Sequence, residues 1–185
     1  ADNLNDFDPV AKKFTDSNTV KTLSHAAAED LFAYCREHGL RPYIGVFEPG
    51  HVRHGGADLD KGWIEPPIVL KVSFSDFAPF GLPPRAAFAG MYGEIIDMVL
   101  PGVPVEWFVT CWGPSIWELA PATIAAGGHV RVGIGQYHPW NWPDRTNERP
   151  TNAEQVARVA ALAKAQGREI ATPAEARAML GLGEA

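Results

Sequence analysis

The sequence predicts an α/β fold built on parallel strands. Short apolar, β-branched runs alternate with longer amphipathic ones, Gly or Pro stands near each short run, and several amphipathic stretches open on a cap residue and close on glycine. The strand candidates are residues 43–47 (YIGVF), 68–74 (IVLKVSF), 105–111 (VEWFVTC) and 129–135 (HVRVGIG). Rich in Val, Ile and aromatics, they read as strands buried on both faces.

Helical patterns lie between and beyond them. Ser24 stands as N-cap to a helix over 26–38, with Gly39 just past its end. Residues 84–99 carry Phe88, Met91, Tyr92, Ile95, Ile96 and Val99 at helical spacing and stop at Pro101-Gly102. Ser115 is placed to cap 116–126, which ends at Gly127-Gly128. Thr151 followed by Glu154 is a capping-box pattern opening 152–166, and Thr172-Pro173-Ala174-Glu175 repeats it before a last short helix ending near Gly181. The stretch around His51 and His54 is expected to be a loop, because Pro49-Gly50 precede it and Gly55-Gly56 follow.

Composition narrows the class of function. With 46% hydrophobic and 21% charged residues in 185, the chain is globular and long enough to bury a core without staples. Sixteen basic against 22 acidic residues give a net charge of −6, and no Lys/Arg cluster offers a nucleic acid a footing. No apolar run reaches the roughly 18 residues of a membrane span, and the opening ADNLNDFDPV has no signal-peptide pattern. Cys35 and Cys111 lie far apart and suit a reducing, cytoplasmic setting. A single domain over 1–185 is expected. Its strand starts near 43, 68, 105 and 129 fall roughly 25–37 residues apart, a spacing that needs about 250 residues to close eight units. Four strands therefore make either a small open α/β domain or half of a (β/α)8 barrel, and a free half would expose two strand edges.

In parallel α/β folds the chemistry sits at the carboxyl ends of the strands. That rule selects Glu48 with His51 and His54, Ser73 with Asp76, Thr110 with Cys111 and Trp112, and Arg131 with Gln136 and His138. Glu48 reads as an acid, base or substrate-orienting group, with a plain strand-end carboxylate the alternative. His51 reads as a substrate contact before a metal ligand, and Ser73 and Trp112 as strand-end contacts. Cys111, in an apolar strand with no histidine nearby in sequence, reads as an inert buried thiol. Arg131 shares a strand face with His129, Gly133 and Gly135; an arginine buried there needs an anion, from a carboxylate or from substrate.

From His129 onward the residues GGHVRVGIGQ, a Trp/Pro-rich loop and TNAEQVARVAALAKAQGREIATPAEARAMLGL closely resemble the C-terminal end of the β-keto acid cleavage enzymes, which include the 3-keto-5-aminohexanoate cleavage enzymes. The resemblance extends back through LFAYCREHGLRPYIGVFEPGHVR, GWIEPPIVLKVSF and VEWFVTCWG, nearly the whole chain. It implies a TIM-type (β/α)8 barrel of which this chain is roughly the second half, strands five to eight, with residues 1–20 as the exit from the fourth. It also implies zinc, acetyl-CoA as co-substrate, a keto acid and CoA ester as small-molecule partners, and a homo-oligomer. The implied reaction is a retro-Claisen-type exchange giving acetoacetate and a new CoA thioester. Arg131 matches the family's dyad arginine, and Glu48 is carried with it as catalytic; His51, Ser73, Trp112 and Gln136 are expected to bind substrate. Within the family pattern HVRVG-[LF]-E-D-N, Gly135 stands at the metal-ligand glutamate and Gln136 at the dyad aspartate, while the His-x-His zinc pair belongs to the missing half. A divergent enzyme would then take its ligand or base from Glu48, Asp76, His138 or Asp144. A binding protein that no longer turns its ligand over, and a different carbonyl reaction, are the alternatives.

Overall fold

The computed structural model describes residues 7–8, 13–14, 23–76, 78, 81–133 and 150–183. Near the start, β1 (Phe7–Asp8) pairs antiparallel with β2 (Lys13–Phe14). The body is a four-stranded parallel sheet of β3 (Tyr43–Val46), β4 (Ile68–Ser75), β5 (Val105–Trp112) and β6 (His129–Val130), adjacent in space in the order they occur in the chain. A sheet wound in one direction with no reversal lacks the switch-point crevice of doubly wound folds.

Around the strands run α1 (His25–Glu37), α2 (Gly50–Asp60), α3 (Ala86–Val99), α4 (Ile116–Ala125), α5 (Asn152–Ala165) and α6 (Pro173–Met179). Local chemistry accounts for several of them. The Ser24 side chain accepts the Ala27 N–H at 3.1 Å, and Thr151–Glu154 and Thr172–Glu175 both form complete capping boxes.

Among the described residues the main core cluster lies on one face of the sheet. Val46, Leu70, Val72, Phe74, Trp107, Val109 and Cys111 meet Val52 of α2, Ala89, Tyr92 and Ile96 of α3, and Ile116 and Leu119 of α4. The alternation of a pleated strand sends the next residues the other way. Tyr43 pairs with Val69, Lys71 with Phe108, Ser73 with Thr110 and Phe108 with His129, so the second face is far more polar than the core face. As expected, β4 is buried on both faces over most of its length, but the second face is not apolar: the odd positions of β4 and even positions of β5 carry Lys71, Ser73, Ser75, Glu106 and Thr110.

Two more expectations are corrected. Residues 50–60 form a helix, because Gly55 lets α2 press on β3: a Cβ there would lie 3.2 Å from Ile44 Cδ1. Pro49 at the entry helps, since its fixed φ suits a helix start. And β6 spans only His129–Val130, with residues 134 and 135 of the expected strand outside the described residues.

Candidate active site

The ladder brings the candidate residues into layers across the polar face. Ser73 is the register partner of Thr110. One residue past β6, Arg131 continues the pairing by donating its N–H to Val109 O at 2.9 Å, which sets it beside Thr110. Phe47, one residue past β3, comes level with Ser73. Four neighbouring chain segments therefore place Phe47, Ser73, Thr110 and Arg131 in a single layer. Ser73 and Thr110 are fully buried, and neither hydroxyl has a hydrogen-bond partner among the described residues.

Arg131 itself is exposed, not buried. It lines an open cleft of about 650 Å³ walled by Tyr43, Glu106, Phe108, His129 and Met179. The expected burial penalty does not arise, because β6 is the edge of the sheet. Below it His129 Nε2 meets Glu106 Oε2 at 2.8 Å, while Arg168 reaches the Nδ1 side of the same ring at 3.4 Å. With Nδ1 facing a cation, the Nε2 proton points at the carboxylate.

Glu48 and His51 are bound to local structure. Glu48 Oε1 accepts the Gly81 N–H at 2.8 Å, tying the β3 exit to the segment after β4. His51 Nδ1 accepts the N–H groups of Phe47 and Glu48 at 3.1 and 3.4 Å, which leaves the ring proton on Nε2. Burial first, and His54 second, hold this imidazole below its ordinary pKa. The His51 and His54 rings lie 6.2 Å apart on one side of α2.

Asp76, just past β4, organises the next strand end. Its Oδ2 accepts the Ser115 N–H at 3.0 Å and its Oδ1 the Ser115 hydroxyl at 2.6 Å. Ser115 therefore does not cap α4 with its own side chain, as its position suggested; the carboxylate arrives from a neighbouring strand and supplies the negative charge a helix N-terminus favours. Gly113 makes room, since a Cβ there would stand 1.9 Å from Asp76 Oδ2. Cys111 is buried, and burial first, with the Asp76 charge second, pushes its thiol far above the usual range. A thiol held protonated in this way is a poor nucleophile. Trp112 is half-buried, and its carbonyl accepts the Asp76 N–H at 2.9 Å.

The zinc implied by the resemblance needs three or more converging donors. Among the described residues no three His, Cys, Asp or Glu come together to hold an ion. Gly135, Gln136, His138 and Asp144 lie outside the described residues, and Gly135 has no donor side chain to offer. The described residues thus do not make a zinc site by themselves. Of the expected residues, Ser73 and Arg131 share one layer; Glu48, His51 and Trp112 stand nearer the carboxyl rim. Lys71 and Phe47 were missed, although the alternating polarity of KVSFS carried the signal for Lys71, and Thr110 was selected with its strand end but given no role.

Comparison with known proteins identifies the family. The sequence profile of the beta-keto acid cleavage enzyme matches residues 4–182. The chain is 32% identical over 154 residues to a 3-keto-5-aminohexanoate cleavage enzyme of Fusobacterium nucleatum subsp. nucleatum, covering 79% of this chain and 49% of that protein. It is 27% identical over 147 residues to a 3-dehydrocarnitine:acetyl-CoA trimethylamine transferase of Rhizobium meliloti, 78% of this chain and 44% of that one. It is likewise 27% identical over 157 residues to a 3,5-dioxohexanoate:acetyl-CoA acetone transferase of Paraburkholderia graminis, covering 85% and 49%. The chain spans about half the length of the curated relatives it matches. With a profile match across nearly its whole length, the chain belongs to the β-keto acid cleavage enzyme family.

Proposed function

We propose that this chain supplies strands five to eight of a TIM-type (β/α)8 barrel that exchanges a β-keto acid with acetyl-CoA, giving acetoacetate and a new acyl-CoA. The observation that carries the reading is the sheet itself: strands in consecutive order, core helices on one face, and the other face presenting Arg131 level with Ser73 and Thr110. That is how one half of a barrel would present its interior. The relatives' names supply the chemistry, each naming either cleavage of a keto acid or transfer with acetyl-CoA. Arg131 would hold the acid or its anionic transition state by a charge-assisted fork. Glu48, through Gly81, and Asp76, through Ser115, position the loops of the rim. Ser73, Trp112, His51 and Gln136 would complete the substrate wall. Zinc, if carried, would take its histidine pair from the preceding half and act as the Lewis acid on the keto oxygen.

Cys35 and Cys111 are free and buried, which supports a reducing, cytoplasmic setting, and the homo-oligomer is proposed from the family resemblance alone. No helix among the described residues is long and apolar enough to cross a membrane. The test is to purify the polypeptide at its natural length, measure its zinc, and screen β-keto acids with acetyl-CoA for new thioesters. Turnover that falls about 100-fold or more in Arg131→Ala supports the reading; no thioester from any keto acid rejects it. A second reading, a barrel that binds the acid without turning it over, is favoured by Gly135 and Gln136, neither of which carries a carboxylate. On that reading Arg131→Ala weakens binding, and no product forms with any substrate.

A further inference from the structure

Arg131 follows directly on β6, the shortest strand of the four-stranded sheet, and its placement depends on how that strand is held. Among the described residues β6 pairs with β5 alone. Past the last paired residue, the Arg131 N–H bond to Val109 O at 2.9 Å fixes the Arg131 backbone. The guanidinium itself meets no carboxylate among the described residues. A two-residue edge strand held so lightly frays unless side chains secure it.

Two contacts do so. At the entry, Gly128 lies so close to the Trp107 ring that a Cβ there would stand 2.6 Å from Cζ2. Next, the His129 ring bridges two other elements: its Nε2 meets Glu106 Oε2 of β5 at 2.8 Å, and Arg168 beyond α5 reaches its Nδ1 at 3.4 Å. Arg168 also donates to the carbonyls of Gly128 and, at 3.3 Å, of Ile124 in the last turn of α4, where a cation complements the helix terminus. The base of Arg168 is fixed in turn, because its N–H donates to Ala163 O at 2.9 Å and closes α5. His129 and Arg131 are two residues apart and so share a face, and both line the same cleft with Glu106.

We propose that His129 is a positioning residue for Arg131. Glu106 and Arg168 hold the ring from opposite sides, the ring holds β6 against β5, and β6 presents the guanidinium at a fixed depth in the cleft. This rests on the reading of Arg131 as the group that holds the keto acid. His129 takes no proton from substrate, since both ring nitrogens are engaged by protein groups. Its contribution is to the geometry of an arginine one layer above it, and such geometry is what a charge-assisted fork requires.

The experiment is a double-mutant cycle on the natural-length protein, with acetoacetate as the probe. Acetoacetate is unreactive without a CoA thioester, and NMR titration reads its binding even when weak. Arg131→Ala should weaken it about ten- to hundredfold, the range for losing hydrogen bonds to a charged group. His129→Leu should weaken it about three- to tenfold, because a displaced binding group loses most of its benefit within about 1 Å. His129→Gln, whose amide donates to Glu106 and accepts from Arg168, should bind within about twofold of wild type. In the Arg131→Ala background His129→Leu should cost less than about twofold more, the precision of such cycles. Arg168→Met clamps the ring from one side fewer and should repeat the pattern more weakly, which supplies the cycle if His129→Leu does not fold. A loss from His129→Leu that is the same size with and without Arg131 would show that the ring serves the fold at large, and overturns the positioning role while Arg131 stands as the acid holder. Unchanged acetoacetate binding in Arg131→Ala overturns the acid-holding reading and the positioning role with it.

Discussion

Two threonines, one chemical change and opposite expected signs give a sharp test of the polar face. Thr110 and Thr123 are both fully buried. Thr123 Oγ1 donates to Leu119 O at 2.9 Å within α4, whereas Thr110 Oγ1 has no partner among the described residues. Replacing either by valine keeps the branched shape and removes only the hydroxyl. A buried hydroxyl left unpaired costs about 1–3 kcal/mol, and a typical buried hydrogen bond contributes about 1 kcal/mol net. Thr110→Val should therefore stabilise the ligand-free protein by about 1 kcal/mol, and Thr123→Val should destabilise it by about the same. For a chain of this size each corresponds to a shift of roughly 2–4 °C in Tm, in opposite directions. Urea unfolding followed by circular dichroism measures both, with an unchanged slope showing that the unfolded reference is the same. Thr110→Val losing as much stability as Thr123→Val would refute the reasoning. The Thr110 hydroxyl would then have a partner in the folded protein.

Two further outcomes follow from the site geometry. Gly113→Ala forces a side chain onto a backbone at φ +138° and into the Asp76 carboxylate, so a loss of about 3 kcal/mol is expected; a loss under about 0.5 kcal/mol in the same unfolding assay would show that this rim is not packed as described. His51 is held below its ordinary pKa in the folded state, so the unfolded chain takes up its proton first. Stability is unaffected by this group above the ordinary imidazole range and falls as pH drops through about 6.5. His51→Gln, whose amide oxygen still accepts from the backbone, should flatten the stability profile between about pH 7 and 5; identical profiles for variant and wild type would exclude the assignment.

Several features were legible in the residues because their causes are local. The capping boxes at Thr151 and Thr172 act within three residues, as does the Ser24 cap, and the helical spacing from Phe88 to Val99 marks the face that α3 buries. Parallel strands followed from the alternation itself, and the burial of Cys111 from its apolar strand. Arg131 was singled out by its place on the polar side of its strand. Other features needed the fold. The helix at Gly50–Asp60 goes against its glycines, and it forms because close packing of α2 on Ile44 outweighs their propensity. The α4 terminus is capped from Asp76, 39 residues earlier in the chain, and Glu48 is claimed by Gly81, 33 residues later. The layer of Ser73, Thr110 and Arg131, with Lys71 beneath it over two aromatic rings, exists only through strand register. Sequence by itself determined what depends on neighbours within one helical turn or one strand. Only the tertiary structure decided which distant polar groups meet, because sheet pairing brings together residues that no local pattern connects.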